Sequence, residues 1–378
     1  MKPSRYWPVL LLAFGFAWNQ PAGAAVLKNV QTGTVTMNPA TQTVAITSVN
    51  TAKTFVICQS DTGGNNNDST LRVTCELTNS TTVTITASVA LAAQTVRWYV
   101  VEFLSGVTVQ RGLTSLGASL TVAVPISAVN LAKTFALISE RINDANTKRD
   151  ERWTTTAALT STTNLQLTRT DAASATSIAW QVIQIESAAV QSGLATIAQN
   201  ATTATATLSP AVDTTRTFLV FTRSAGTAVQ GVERYYQATG EITNATTLTF
   251  TRAFQNNTNN TQVNAAWFAV RMTDGTSVQR GLVGPSGTGG ASATMNATLA
   301  AAIVTNRSIP IISVSGDAAS NKDTNLDDTS WNAAFTTTTN LQFTRVAGNS
   351  SNATVAWQAV QFNNAPNLVD GDGREVFP

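Results

Sequence analysis

The sequence predicts an all-β protein built from four tandem β-sandwich repeats, Ig-like or lectin-like in size and about eighty residues each. Three observations predict it. Four sequence marks recur in one order, hydrophobic residues inside each copy alternate with a period of two, and no capped helical periodicity is sustained after the first two dozen residues. The chain is 43% hydrophobic with a net charge of +2, which is not the composition of a disordered protein.

The first mark is the pattern Val-Gln-x-Gly, which occurs at residues 30–33, 109–112, 190–193 and 278–281. Its spacings are 79, 81 and 88 residues, too long for one coil of a solenoid and suitable for a small sandwich. About twenty residues later, each copy has a Lys or Arg, then Thr or Ser, then an apolar run. A strand that ends in Thr-Arg follows in three copies, whereas the first copy has Ala87 at that point.

Each copy closes with a strand that contains a tryptophan: Trp98, Trp180, Trp267 and Trp357. Apolar residues three and five places after each tryptophan fall on the opposite face of the strand. We therefore expect this strand to be central in its sheet, or covered by a neighbouring copy or subunit. The tryptophans are predicted core anchors, and the alternative is an exposed platform for sugar stacking.

The repeats divide the chain into a signal peptide at 1–24, four sandwiches at 25–105, 106–187, 188–274 and 275–363, and a tail at 364–378. The junctions are short and contain no Pro- or Gly-rich linker. The copies are therefore expected nearly end to end, as a semi-rigid rod or a compact chain of beads.

The first residues have the pattern of a Sec-type secretory signal. Lys2 and Arg5 precede an apolar stretch, and Ala22 and Ala24 supply a small-x-small cleavage site. The alternative is a membrane anchor, but the apolar stretch is shorter than a bilayer span, and no later segment is long enough to be one. The signal predicts a secreted or cell-surface protein.

The two cysteines, Cys58 and Cys75, are an even count in a chain predicted to reach an oxidising compartment. They flank an Asn-rich loop between two predicted strands. We expect a disulfide within the first copy, the alternative being two buried thiols.

The chemistry inventory argues against an enzyme. The chain has no histidine, which removes the most frequent general base and zinc ligand. Carboxylates placed alike in each copy would indicate a paired-acid hydrolase, but Glu102 and Glu186 have no acidic counterparts in the other copies. No catalytic residue and no cofactor are predicted, and the near-neutral charge disfavours nucleic acid as a partner.

Polar loops after the apolar run are the candidate recognition regions, at residues 61–68, 143–150 and 317–328. Their Asp and Asn oxygens suit either calcium or a solvated turn, as do Asp370 and Asp372 of the tail, and no metal site is predicted. Four aromatic residues precede the Thr-rich hairpins, beside these loops or beside the corresponding loop of the third copy at 224–231, which has no acids. They are candidate ligand-binding residues if their rings are exposed: Trp153, Tyr235, Tyr236 and Trp331.

The order of marks resembles the tandem β-sandwich repeats of bacterial secreted surface proteins. The closing strands Trp267-Phe-Ala269 and Trp357-Gln-Ala359, with the early Gly, are also similar to the H-type lectin sandwich. The sequence thus predicts a secreted structural or adhesive protein, such as a stalk, filament subunit or adhesin shaft, with self-association or a surface glycan as partner. The alternative function is multivalent carbohydrate binding.

Overall fold

A computed structural model describes residues 25–61, 72–142, 154–226, 236–252, 262–284, 294–316, 329–345, 353–364, 368–369 and 375–376. Within these ranges the chain is made of β-strands with three short 3₁₀ turns, Thr51–Lys53, Leu131–Lys133 and Thr305–Arg307. The predicted all-β class is confirmed. Residues 1–24, which include the predicted signal peptide, lie outside the described part.

The strands fall into four groups of six, one for each predicted copy. The first copy contains β1 (Val26–Met37), β2 (Thr41–Ala45), β3 (Thr54–Ser60), β4 (Val73–Asn79), β5 (Thr82–Ala87) and β6 (Leu91–Ser105). The second contains β7 (Val107–Ser115), β8 (Thr121–Pro125), β9 (Thr134–Ile142), β10 (Thr156–Ser161), β11 (Asn164–Thr168) and β12 (Thr176–Ile185). The third contains β13 (Ala188–Ile197), β14 (Thr203–Thr207), β15 (Thr217–Ala225), β16 (Ala238–Asn244), β17 (Thr247–Arg252) and β18 (Val263–Met272). The fourth contains β19 (Ser277–Val283), β20 (Thr294–Thr298), β21 (Ser308–Gly316), β22 (Asn332–Phe335), β23 (Asn340–Thr344) and β24 (Ala353–Gln361). A short pair, β25 (Leu368–Val369) and β26 (Glu375–Val376), follows.

Every copy has the same topology of two three-stranded antiparallel sheets. The first, sixth and third strands form one sheet in that order, which we call the inner sheet. The second, fifth and fourth strands form the other, the outer sheet. The tryptophan strand is therefore the central strand of the inner sheet in all four copies, as the sequence predicts.

The recurring Gly and the recurring Trp are partners across the inner sheet. Gly33 pairs with Trp98, and the equivalent pairs are Gly112 with Trp180, Gly193 with Trp267 and Gly281 with Trp357. A Cβ on these glycines would lie 2.6, 2.6, 2.8 and 2.9 Å from Cζ2 of the paired tryptophan. The indole rings thus occupy the space over the glycines, which is why the pattern requires Gly.

The glutamine of the same pattern holds the connection between the second and third strands. In the first copy, Gln31 Nε2 donates to Thr47 O at 3.0 Å and Gln31 Oε1 accepts from Thr47 N at 2.7 Å. Gln110, Gln191 and Gln279 make the equivalent contacts. The Thr or Ser that opens the third strand is buried and bonds the carbonyl four residues earlier.

The arginine that ends the fifth-strand pattern is buried. Arg252 donates from Nε to Ala201 O and from Nη2 to Ala198 O, both at 3.0 Å, and Arg169 bonds equivalent carbonyls. Burial makes a guanidinium costly unless its donors are paired, so these contacts account for the conserved position of Arg within the repeat.

The four copies pack side by side around a common axis. A backbone N–H of each fourth strand donates to a side-chain oxygen on the third strand of the next copy. The contacts are Cys75 N to Ser139 Oγ at 2.9 Å, Ala157 N to Thr222 Oγ1 at 2.8 Å, Gly240 N to Ser313 Oγ at 3.0 Å, and Ala333 N to Gln59 Oε1 at 2.8 Å. The last contact joins copy four to copy one and closes a ring.

The inner sheets of all four copies contribute to one shared hydrophobic cluster. Phe55, Phe135 and Phe218 meet edge to face, with ring centroids 6.4 and 5.7 Å apart, and Phe362 of the fourth copy lies 6.2 Å from Phe55. The second apolar face of the tryptophan strand is thus covered by neighbouring copies.

The expectation of copies placed nearly end to end, as a rod or chain of beads, is therefore wrong. An end-to-end arrangement would expose the outer apolar face of every inner sheet, including Val101, Ile183, Val270 and Val360, all of which are buried. Burial of this apolar face stabilises the ring relative to an end-to-end arrangement, in which the face would be exposed to water. The short junctions allow successive copies to pack side by side around the axis.

Contacts between copies alternate around the ring. Gln181 Oε1 accepts from Val56 N at 2.8 Å and Gln181 Nε2 donates to Val56 O at 2.7 Å. Gln358 makes the same pair of bonds to Leu219, at 2.7 and 2.8 Å. The equivalent position is Tyr99 or Phe268 in the odd copies. The ring is thus built from two similar pairs of copies.

Candidate functional site

A cavity lies on the axis where the third strands of the four copies meet. Residues 56–59, 137–139, 219–221 and 311–313 line its inner part, together with Gln181 and Gln358, and its volume is about 160 Å³. A second cavity of about 230 Å³ adjoins it toward the carboxyl ends of those strands. We call the two together the axial well.

Aliphatic side chains form part of the inner wall of the well, beside the amides of Gln181 and Gln358. One branched aliphatic residue from each third strand faces the axis at the same register: Ile57, Leu137, Val220 and Ile311. Two residues earlier on the same face of these strands, the buried rings of Phe55, Phe135 and Phe218 fill the axis. The well is therefore closed at its aromatic end.

A polar layer lies above the aliphatic walls. It consists of the side chains that join the copies, namely Gln59, Ser139, Thr222 and Ser313. Gln59 uses both ends of its amide, because Nε2 also donates to Pro310 O at 3.0 Å. The three hydroxyl groups each accept one backbone N–H and retain their own proton for donation.

Charged groups from three copies lie at the outer part of the well: Arg72, which precedes β4, Glu140 of β9 and Arg223 of β15. Desolvation raises the pKa of the Glu140 carboxyl to about 7, although the Arg72 and Arg223 charges and hydrogen bonds from Thr155 oppose the rise. Arg223 also donates to Gln237. The two guanidinium groups outnumber the one carboxyl, and protonation of Glu140 increases this excess of positive charge as the pH falls through about 7.

The candidate ligand-binding aromatics do not provide exposed rings where the structure describes them. Tyr236 is 1% exposed within the core of the third copy, and Trp331 is 2% exposed. Arg345 Cζ lies 4.7 Å from the centroid of the Trp331 ring and covers it, although Trp331 also borders the well. The expectation of exposed rings is wrong for Tyr236 and Trp331, because both rings pack in hydrophobic cores. Trp153 and Tyr235 lie outside the described residues.

The four closing tryptophans are between 6% and 9% exposed, in the core clusters of their copies. Their assignment as structural core residues fits this burial, whereas sugar stacking requires an open ring face.

The predicted disulfide between Cys58 and Cys75 is confirmed, with a Cα–Cα distance of 6.3 Å. It joins β3 of the inner sheet to β4 of the outer sheet, on either side of residues 62–71. Both cysteines border the inner part of the well. The cross-link therefore holds the two sheets of the first copy together beside the cavity.

The isolated carboxylates have structural partners. Glu102 Oε1 accepts from Asn50 N at 2.7 Å and from Lys28 Nζ at 3.1 Å, and Glu186 Oε2 accepts from Lys133 Nζ at 2.7 Å. Gln184 and Gln361 accept the equivalent backbone N–H in copies two and four. The side chain four residues after the closing tryptophan, which is Glu102, Gln184 or Gln361, thus fixes the start of the 3₁₀ turn in these three copies.

No cluster of three or more His, Cys, Asp or Glu side chains suited to a metal ion occurs in the described ranges. The polar loops fall almost entirely outside those ranges, as do Asp370 and Asp372. Calcium and a solvated turn thus both stay predictions for these loops.

Sequence reasoning missed the residues of the well. The available signal was a polar residue five positions after the Thr or Ser that opens the third strand in every copy: Gln59, Ser139, Thr222 and Ser313. A second signal was the alternation of Thr32, Arg111, Ser192 and Arg280 at the variable position of Val-Gln-x-Gly. Arg111 and Arg280 both donate to carbonyls of the preceding copy.

Comparison with known proteins found no matching family model and no curated protein of significant similarity. Among the residues that the structure describes, none belongs to a helix with the length and apolar character needed to cross a bilayer.

Proposed function

We propose that this chain is an exported structural or adhesive protein of the cell surface, which acts as a compact ring-shaped building block. Export rests on the signal pattern at 1–24 and suits the Cys58–Cys75 disulfide, which persists in oxidising compartments. The ring favours a filament or lattice subunit over a stalk or shaft made by one chain, and the proposal includes no catalytic activity.

Recurring exposed leucines carry the proposal of self-association. Leu113, Leu194 and Leu282 follow the glycine of Val-Gln-x-Gly in copies two, three and four, and are 51, 63 and 50% exposed. Single exposed leucines are ordinary, but three at one repeated position place apolar contacts around the ring.

These leucines lie on edge strands. Within the described chain, β7, β13 and β19 each pair on one side only, with β12, β18 and β24. Edge strands with apolar side chains readily pair with another chain. Contacts between copies of this protein at several edges would build a filament or a lattice.

Multivalent carbohydrate binding, the alternative function, has less support. It relied on exposed aromatic rings, and Tyr236 and Trp331 are buried. Its avidity would need four linked sites, whereas the polar residues at the axis belong to one shared well.

Substitution of the leucines tests the proposal. The signal-cleaved protein should form oligomers or filaments at micromolar concentration, detected by light scattering and electron microscopy. The triple variant L113K/L194K/L282K should remain monomeric, because charge on an edge strand opposes pairing.

Thr34 provides the matched control, since it is the exposed first-copy equivalent of these leucines. T34K should assemble like the unmodified chain. Wild-type protein that stays monomeric under all conditions tested, or a triple variant that assembles normally, would contradict the proposal.

A further inference from the structure

We propose that the axial well binds a small amphipathic carboxylate, with its apolar part between the four third strands and its carboxylate in the polar layer above. This site goes beyond the proposed surface role and does not depend on it. The ligand class is a short acyl or aromatic acid.

The apolar part of the site is defined by Ile57, Leu137 and Ile311, which are half-buried, and Val220, which is buried. The inner cavity of about 160 Å³ is close to the roughly 150 Å³ of aliphatic cavities that accept a benzene ring. The buried rings of Phe55, Phe135 and Phe218 close one end of the well, so the carboxylate of a ligand lies toward the charged end.

The hydroxyl layer favours a ligand that accepts hydrogen bonds. Ser139, Thr222 and Ser313 already accept one backbone N–H each. None of the hydrogen bonds between described residues is donated by these three hydroxyl groups. Three donors around one axis match the several lone pairs of a carboxylate.

The charged layer favours an anion over a cation or a neutral head group. Arg72 and Arg223 border the outer cavity with Glu140. Two guanidinium groups against one carboxyl leave net positive charge here whether Glu140 is ionised or protonated. Burial raises the pKa of Glu140 to about 7, which increases this excess at neutral pH. Guanidinium groups bind carboxylates with paired hydrogen bonds.

Probes of one shape and different charge test this order of preference. Benzoate, benzyl alcohol and benzylamine would be titrated into the full signal-cleaved protein by calorimetry and ligand-observed NMR. We expect benzoate to bind at one site per chain, at least tenfold more tightly than benzyl alcohol, and benzylamine not to bind.

Two variants locate the site. L137F fills the apolar part of the well and should abolish benzoate binding, whereas L120F adds the same volume at a position that is 49% exposed and should leave it unchanged. S139A/S313A removes two donors with little change in volume and should weaken benzoate binding at least fivefold without weakening that of benzyl alcohol.

Thermal melting of each variant establishes that it is folded before binding is compared. The proposal is overturned if the wild-type protein shows no saturable benzoate binding, if benzylamine binds equally well, or if folded L137F retains full affinity. None of these outcomes bears on self-association through the edge strands, which is measured without ligand.

Discussion

At the scale of single residues, the contact between Gly and Trp sets the repeat. The indole of each closing strand lies where a Cβ of the paired glycine would stand, within 2.6 to 2.9 Å of it. The shape of the tryptophan side chain thus requires a glycine at a position 65 to 76 residues earlier in the chain.

The third copy allows this pair to be tested. Gly193→Ala should destabilise the protein by about 1–3 kcal/mol, because the methyl group overlaps Trp267. Trp267→Ala should cost about 3–5 kcal/mol through the cavity it leaves. In the Trp267→Ala background, Gly193→Ala should cost almost nothing, since the overlapping ring is gone.

Urea unfolding of the four proteins completes the cycle. Ser192→Ala, next to Gly193 on the same strand and exposed, is the control and should change stability by less than about 0.5 kcal/mol. Additive costs in the double variant would show that the two residues do not oppose each other.

At the scale of strands, the third strand joins the copies as well as its own sandwich. Gln358 holds both backbone groups of Leu219, and Gln181 holds those of Val56. In these two interfaces a side chain from the sixth strand satisfies a strand edge that would otherwise be buried without a partner.

Removal of one clamp should therefore be costly. Gln358→Leu leaves the N–H and C=O of Leu219 buried and unpaired, at about 1–3 kcal/mol for each group. Gln166→Leu is the control, because Gln166 is also a strand glutamine but its side chain makes no hydrogen bond within the described ranges. Urea unfolding that gives equal stability for both variants would contradict the role of the clamp.

The strands were predictable from the sequence, and their assembly was not. Alternation at Val83 and Ile85, and the apolar face opposite Trp98, correctly predict a sandwich whose closing strand is covered on both sides. Which surface covers it depends on long-range packing between copies, which a period of two does not encode. The alternation of Gln181 and Gln358 with Tyr99 and Phe268 was the signal available for two unlike interfaces.

The candidate site was less accessible to sequence reasoning. Trp331 and Tyr236 lie beside polar loops, where an exposed ring is reasonable. Instead, Arg345 covers the Trp331 ring, and Tyr236 is buried in the core of the third copy. The well draws one short segment from each copy, so its composition becomes visible only when residues some eighty positions apart are superimposed.

At the scale of the whole molecule, four sandwiches share one core and close on themselves. Ala333 N donates to Gln59 Oε1, and Tyr99 Oη donates to Ala333 O at 2.6 Å. Copy one is therefore hydrogen-bonded to copy four on one side and to copy two on the other. A closed ring leaves no terminal copy with an uncovered inner sheet, which a linear array of repeats would need to cap.

The closure also brings the two ends of the repeat region together, since Leu27 N donates to Asn363 O at 3.0 Å. The packing of the four copies therefore does not depend on which junction of the ring carries the two chain ends. A circular permutant that links residue 364 to residue 25 through a short Gly/Ser linker and begins at Val107 should fold, keep the Cys58–Cys75 bond and melt within a few degrees of the parent. A permutant that begins at Gln181, inside β12, should not fold, and circular dichroism of the two would distinguish a ring without a unique beginning from a chain whose order of copies matters.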